Sequence, residues 1–375
     1  MQNMFPAEKS ISEILAKRES KGALRKLYVT DKGIDFCSND YLGFARSKVL
    51  MEMINHRMSE LNASNGSGGS RLLAGNSKYA EELEMFLAQI YSSPAVLVFN
   101  SGYDANVGLF SSLPVRGDTI IYDELIHASI HDGIRLSRAD SFPFKHNDVA
   151  HLEERLQKAK GNVYVAIESV YSMDGDTAPL KELVELCEKH SAQCIVDEAH
   201  ATGVFGLGLV QQMNLQNKTY ACVHTFGKAM GCHGAMVIGS TALKQYLVNY
   251  ARSFIYTTSL PLHSLVSIEC AYKLLQKSAE AVTQLNDNIV HFQGKINDND
   301  GWIDSNSAIQ SLVVPGNENV RRLALAIQAQ DMDVRPIMSP TVAEGKERIR
   351  VCLHAYNTHK EIDTLLDVIK QELKK

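Results

Sequence analysis

A chain of 375 residues, 45% of them hydrophobic, can bury a large core and build two domains. Its formal charge of −5, from 43 acidic against 38 basic residues without long like-charge blocks, excludes an extended nucleic-acid surface but leaves room for a small anion. No apolar run approaches the roughly 18 residues of a membrane span, and Met1 to Ser10 lack a signal-peptide core.

Seven scattered cysteines without a Cys-x-x-Cys pair argue against a zinc site and for a reducing compartment, so no metal and a cytoplasmic location are expected. Ile11, Ile14, Leu15, Leu24 and Leu27 predict an amphipathic helix over Ser12–Leu27, interrupted at Gly22, with Arg18, Arg25 and Lys26 on its polar side. Phe36–Gly43 reads as a polar turn in which Asn39 and Asp40 make turn hydrogen bonds. Asn65-Gly-Ser-Gly-Gly-Ser-Arg71 is either a flexible tip or a place where backbone passes close to a ligand. Tyr79–Ile90 reads as helix and Ala95–Phe99 as strand, and Asn100-Ser101-Gly102-Tyr103 opens a further helix. A strand, a small polar turn and a helix start suit a phosphate, although Ser101 can equally be a plain cap.

Thr119–Tyr122 predicts a strand and Ile126-His127-Ala128-Ser129 a helix entrance, where a lone histidine is ordinarily structural. Val163–Ile167 is a strand ending in Glu168 and the turn-rich Ser172-Met173-Asp174-Gly175-Asp176. Leu180–His190 is helical, and Cys194–Val196 is a strand followed by Asp197-Glu198-Ala199-His200. The apolar runs Ala221–Val223 and Ala235–Ile238 flank Thr225-Phe226-Gly227-Lys228. Repeated strand–helix units of this kind imply a mostly parallel sheet, whose ligands collect at the carboxyl ends of strands. Ser101, Glu168, Asp197 and Lys228 all follow strands at that end.

The irregular Ala251–Pro261 marks the best domain boundary, before a long helix over His263–Ala281. Ile309–Val314 and Arg348–Leu353 read as strands, Val320–Gln328 and the tail with Ile362, Leu365, Leu366, Ile369 and Leu373 as helices. The expected layout is an N-terminal segment 1–45, a large domain 46–262 and a smaller α+β domain 263–375.

Asp197-Glu198-Ala199-His200 also spells the acidic box of certain helicases, but the chain has no Gly-x-x-x-x-Gly-Lys-Ser/Thr phosphate loop. A lysine between two buried strands, with an acid at the end of the preceding strand, is instead what pyridoxal phosphate needs. The amine holds the aldehyde and the acid keeps the ring nitrogen protonated.

With Lys228, the acidic box, Ile126–Ser129, Ser172–Asp176 and the glycine-rich Ser67–Arg71 in view, the chain from about Leu24 onward resembles the α-oxoamine synthases. These are pyridoxal phosphate enzymes of the aspartate-aminotransferase fold (fold type I). The resemblance implies an α/β large domain with a mostly parallel seven-stranded sheet, a smaller C-terminal domain, and a homodimer with shared active sites. By resemblance, Lys228 carries the cofactor and moves the Cα proton, Asp197 pairs with the ring nitrogen, His200 with the ring-hydroxyl side, and His127 stacks on the ring. Ser101, Gly102, Tyr103 and Thr225 hold the phosphate, aided by Thr258 of the partner subunit, while Glu168 and Ser172 line the ring pocket. Asn39 and Arg350 match the positions that take the substrate carboxylate, with Ser70 and Arg25 further substrate-side residues, Arg25 facing the thioester.

Ser339-Pro340-Thr341-Val342, Gly345 and Arg348-Ile-Arg350 resemble the 8-amino-7-oxononanoate synthase branch, which implies L-alanine and a pimeloyl thioester on coenzyme A or an acyl carrier protein. Lys218–Cys222 and Gly231-Cys232-His233-Gly234 depart from that branch, which leaves open a synthase of the 2-amino-3-ketobutyrate CoA ligase or serine palmitoyltransferase type. A fold-type-I aminotransferase is the alternative of another class.

Overall fold

The computed structural model describes residues 5–27, 29, 33–61, 65–297 and 300–374. Met1 to Met4, the start of the stretch read above for a signal peptide, lie outside the described residues. In chain order the strands are β1 (Ile34–Asp35), β2 (Ala95–Phe99), β3 (Thr119–Asp123), β4 (Asp140–Phe144), β5 (Val163–Glu168), β6 (Gln193–Asp197), β7 (Ala221–Thr225), β8 (Ala235–Gly239), β9 (Ile309–Val313), β10 (Met332–Asp333), β11 (Arg335–Ile337) and β12 (Arg348–Cys352).

Seven of them form one sheet in the order β2-β8-β7-β6-β5-β3-β4. Strand β8 runs antiparallel to both neighbours, and the other pairs are parallel. Successive side chains of a strand face opposite ways, so a strand covered on both faces must be apolar throughout. Val96, Val98, Val165, Ile167, Cys194, Val196, Cys222, Met236 and Ile238 join one buried cluster. Their neighbours Leu97, Phe99, Ala166, Ile195, Ala221, Val223, Ala235 and Val237 join the other, under the helices Gly102–Ser112 and Ala128–Leu136.

Strand β4 is absent from the sequence reading. Its residues Asp140-Ser-Phe-Pro-Phe144 are exposed except for Phe144, and it pairs on one side with β3, an edge that tolerates Pro143. The N-terminal helix spans Pro6–Ser20 rather than Ser12–Leu27. Pro6 opens it, and Gly22, at φ +62, turns the chain out so that Leu24 and Leu27 lie beyond it. The helix expected over His263–Ala281 ends earlier, spanning Leu262–Leu275, and a further helix, Ala279–Gln293, follows it mostly beyond the expected range. Their neighbours differ: the first packs on the helices Lys48–Ser59 and Lys78–Ile90, the second on His359–Leu373.

Strands β11, β12 and β9 form a separate antiparallel sheet, and β1 pairs with β10. Strand β12 carries Arg350 towards the carboxyl ends of the large sheet.

Candidate active site

Strands β5 and β6 are in parallel register with Glu168 opposite Asp197. Two adjacent strand ends therefore present two carboxyl groups side by side, Glu168 only 3% exposed and Asp197 5%. Burial, and then the neighbouring Asp197 charge, push the Glu168 carboxyl well above its ordinary range. Its Oε1 is buried with no hydrogen-bond partner among the described residues. Of the two, Glu168 is the carboxyl group disposed to keep its proton.

Lys228 sits just past β7, in a turn closed by Phe226 N donating to Gly234 O (2.9 Å) and Cys232 N to Phe226 O (2.7 Å). Burial pulls its ammonium down to about 8, against the opposing pull of Asp197 and then Glu168. A fraction of the amine is therefore neutral near physiological pH, as nucleophilic attack on an aldehyde requires. His233, singled out in the sequence, is exposed in the same turn.

The Asp197 carboxylate is held from two directions. Ala199 N donates to Oδ1 (2.9 Å) and Asn106 Nδ2 to Oδ2 (2.7 Å). Asn106 Nδ2 also donates to Ser129 Oγ (3.0 Å), which lies 2.8 Å from His127 Nδ1. His127 caps the helix Ala128–Leu136 by accepting from Ser129 N (3.2 Å). His127 is exposed at the surface of the chain, but partial desolvation of its ring, opposed by Asp197 and aided by Lys228, leaves its imidazole easier to keep neutral than an ordinary histidine. Asn106 Oδ1 is buried and unpartnered among the described residues. Such a group costs about 1–3 kcal/mol. Asn106 and Ser129 were missed as site residues, although an asparagine on the buried face of the apolar Ala105–Leu109 stretch was a visible signal.

A second network holds His200. Its Nδ1 is 2.8 Å from the buried Tyr41 hydroxyl, which donates to Asn39 Oδ1 (3.0 Å). Arg350 Nη2 donates to Asn39 Oδ1 (2.9 Å) and Nε to the Ser172 carbonyl (2.7 Å). Burial, then the Lys228 charge, keep His200 well below the ordinary histidine range. Tyr41 was also missed, though a buried tyrosine hydroxyl in a polar turn demands a partner. The loop carrying Ser172 is docked on the small sheet: Asp174 pairs with Arg348, Ser311 Oγ donates to Met173 O (2.7 Å) and Ser307 Oγ to Gly175 O (2.7 Å). Gly175, at φ +83, is required there, because a Cβ would stand 2.1 Å from Ile309 O.

The helix Gly102–Ser112 begins beside Thr225, where a Cβ on Gly102 would lie 3.5 Å from Thr225 Oγ1. Ser101 Oγ is engaged as the cap, accepting from Asp104 N (3.0 Å) and donating to Asp104 Oδ2 (2.8 Å). Backbone N–H groups in a helix's first turn have no intrahelical acceptor, so those of Gly102 and Tyr103 are available to an anion. The Tyr103 hydroxyl bonds Asp132, and its ring is 47% exposed. Asn100 Nδ2 donates to the Thr258 carbonyl (2.7 Å), which places the exposed Thr258 of this chain near the end of β2.

Two expected residues stand elsewhere. Ser70 accepts from Leu73 N (3.0 Å) and Gly75 N (2.9 Å), in a loop tied to Ser259 through Gly69 O (3.0 Å). Arg25 Nη2 donates to Thr341 Oγ1 (3.1 Å) and lines a cavity of about 680 Å³ with Arg18, Lys26, Arg321 and Arg335. The lining of that cavity includes none of the residues around Lys228.

His146, Asp174 and Asp176 bring metal-type ligands together. The His146 ring, however, is bracketed by Asp123 Oδ1 (3.0 Å) and Asp176 Oδ2 (2.7 Å) and pushed up to about 9 in spite of its burial. A protonated imidazole has no lone pair for a cation, and Asp174 is already paired with Arg348.

The remaining donors fit pyridoxal phosphate: an amine of lowered basicity, a fixed buried Asp197 carboxyl group beside that of Glu168, and a helix start with a hydroxyl for the phosphate. The aminotransferase class I and II family profile matches residues 31–369. An 8-amino-7-oxononanoate synthase from Emericella nidulans is 46% identical over 394 residues, covering 96% of this chain and 94% of that protein. A serine palmitoyltransferase from S. paucimobilis, solved with a bound PLP–myriocin aldimine, has TM-score 0.90 and 25% identity over 100% of this chain and 99% of its own. An 8-amino-7-oxononanoate synthase structure from Francisella tularensis has TM-score 0.79 and 29% identity over 92% of this chain and 99% of its own. The chain therefore belongs to the aminotransferase class I and II family and, within it, to the α-oxoamine synthases, pyridoxal-phosphate-dependent acyltransferases of fold type I.

Proposed function

We propose that the protein condenses L-alanine with a pimeloyl thioester of coenzyme A or acyl carrier protein, releasing carbon dioxide and thiol and giving 8-amino-7-oxononanoate for biotin synthesis. The observation that carries this reading is the half-buried Arg350 of the small sheet, whose guanidinium donates to Asn39 Oδ1 (2.9 Å) and the Ser172 carbonyl (2.7 Å) and so joins the network around His200. A guanidinium fork there suits the carboxylate of an amino acid whose Cα meets the lysine amine.

Pyridoxal phosphate, when bound, supplies a sink for the electron pair left on Cα. The chain's residues do the rest. Gly102, Tyr103 and Thr225, with Ser101 shaping the helix start, anchor the phosphate. Asp197 would favour a proton on the ring nitrogen by opposite charge, beside the buried Glu168. His127 would cover one ring face and His200 would meet the hydroxyl edge. Asn39 and the Ser172 carbonyl orient Arg350, and the neutral Lys228 amine would take the Cα proton.

The cationic cavity at Arg25 supports a thioester carrier bearing phosphates. It borders the site through β11, since Arg335 stands opposite Arg350 in the sheet. We further propose a homodimer in which Thr258 of the partner subunit reaches the phosphate and Ser70 the substrate; the exposed Tyr103 and His127 leave a side of the site for such a neighbour. A large and a small domain are proposed, with the join shifted from residues 262–263 to 275–279, because Leu262–Leu275 packs on the helices Lys48–Ser59 and Lys78–Ile90 while Ala279–Gln293 packs on His359–Leu373. No helix among the described residues is long and apolar enough to cross a membrane, and all seven cysteines are free thiols, in keeping with a proposed cytoplasmic location.

The test is product analysis. Loaded protein with pimeloyl-CoA should release thiol and carbon dioxide with L-alanine, and much less with glycine or L-serine. The likeness to serine palmitoyltransferase, at TM-score 0.90, supports a second reading with L-serine and a long acyl thioester. Faster thiol release from palmitoyl-CoA and L-serine would favour it.

A further inference from the structure

We propose that Asn106 is a positioning residue which, through Ser129, holds His127 as its Nε2–H tautomer while aiming the Asp197 carboxylate, so that one relay sets two groups of the site. The inference deepens the proposed function and rests on it for the roles of His127 and Asp197.

The donor directions follow from what each atom can do. A carboxylate only accepts, so the Asn106 amide must present its NH₂ to Asp197 Oδ2, at 2.7 Å. The second amide hydrogen then points to Ser129 Oγ at 3.0 Å. A serine hydroxyl that accepts there still has its own hydrogen, and His127 Nδ1 stands 2.8 Å away to take it. Ser129 N–H, whose direction the backbone fixes, donates to the same Nδ1 at 3.2 Å. Two donors converge on Nδ1, so it carries the lone pair and the ring hydrogen is on Nε2. A hydrogen on Nδ1 would oppose the Ser129 N–H and undo the helix cap.

Water cannot replace the relay, because Asn106 is 2% and Ser129 1% exposed. The unpartnered Asn106 Oδ1 points the same way: an apolar side chain would leave no orphan, so the amide serves through its two donated bonds. The contacts join the helix Gly102–Ser112, the helix Ala128–Leu136 and the end of β6, which otherwise set Asp197 and His127 independently.

The test uses the full chain labelled with ¹⁵N at histidine, with His127 assigned by its loss in His127→Gln. In the parent, Nδ1 should resonate as a bare nitrogen and Nε2 as a protonated one at pH 8. Ser129→Ala, which removes the hydroxyl donor and leaves only the backbone N–H on Nδ1, should move the two nitrogens part of the way towards averaged signals, and Asn106→Leu, which frees the Ser129 hydroxyl to turn away from Nδ1, should move them in the same direction by less. In pyridoxal-phosphate-loaded Asn106→Leu, Asp197 loses a donor and bears fuller charge, so the pH midpoint of the visible absorbance should rise by about one unit. Spectra and midpoint unmoved in both variants overturn the relay, as does a parent with hydrogen on Nδ1. If the tautomer shifts in both variants but the parent makes no product from L-alanine, the relay stands and the proposed function falls.

Discussion

Arg350 Nη2 and Asn39 Oδ1 lie 2.9 Å apart, joining the small sheet to the turn that precedes the large one. The guanidinium is thereby fixed in orientation before any substrate arrives. Arg350→Lys keeps the charge and loses the fork, and should raise the KM for the amino acid by about 30-fold, near 2 kcal/mol, with a smaller change in kcat. Asn39→Ala should act in the same direction but more weakly. Initial rates at saturating thioester and varied amino acid decide it. An unchanged KM in Arg350→Lys would remove the residue from substrate binding.

Burial lowers Lys228 from 10.5 to about 8, so the neutral amine grows in through pH 8 rather than above 10. The rate at which apo-protein takes up pyridoxal phosphate should rise with pH and level off above about 8. A midpoint near 10 would mean that the amine is solvated. The stability linkage has the corresponding sign: the unfolded chain binds the extra proton between pH 8 and 10.5, so the penalty of burying this ammonium is full below 8 and relieved as pH rises through that window.

Asp197→Asn keeps the size of the side chain and removes the charge. It should lower kcat by roughly 10²–10³ while leaving weak cofactor binding, since the phosphate contacts survive. Absorbance titration with cofactor, together with turnover, separates the two effects. Full turnover would refute the role given to Asp197.

His146, raised to about 9 between Asp123 and Asp176, should stabilise the fold. Its folded value lies above the unfolded one, so the contribution is complete below about pH 6.5 and is lost as pH rises through 9. Denaturant unfolding should show His146→Gln less stable than the parent by about 2–3 kcal/mol at pH 6, with the gap closing by pH 9.5. A gap independent of pH would mean that the ring packs without charge.

Much of this arrangement was legible in the sequence because a parallel strand buried on both faces is an apolar run, and its carboxyl end is where polar residues stand out. Glu168, Asp197 and Lys228 were found that way. Strand β4 was not, because an exposed edge strand containing Pro143 has no apolar run to read. The helix read over His263–Ala281 ran past its end at Leu275 because Ala279 and Ala281 continue the apolar spacing, and packing partners rather than pattern separate it from the helix that follows. Tyr41 and Asn106 escaped for another reason. Their roles exist through contacts to His200 and Asp197, 159 and 91 residues away, which no local pattern encodes.

The central claim is that the Lys228 amine, among Asp197, Glu168, His127 and His200, bears the cofactor. Borohydride treatment of the loaded protein followed by peptide mass spectrometry tests it directly. The peptide holding Lys228 should gain the mass of reduced pyridoxal phosphate, in about one copy per chain and blocked in Lys228→Ala. That mass on a different lysine, or on none, would contradict the account.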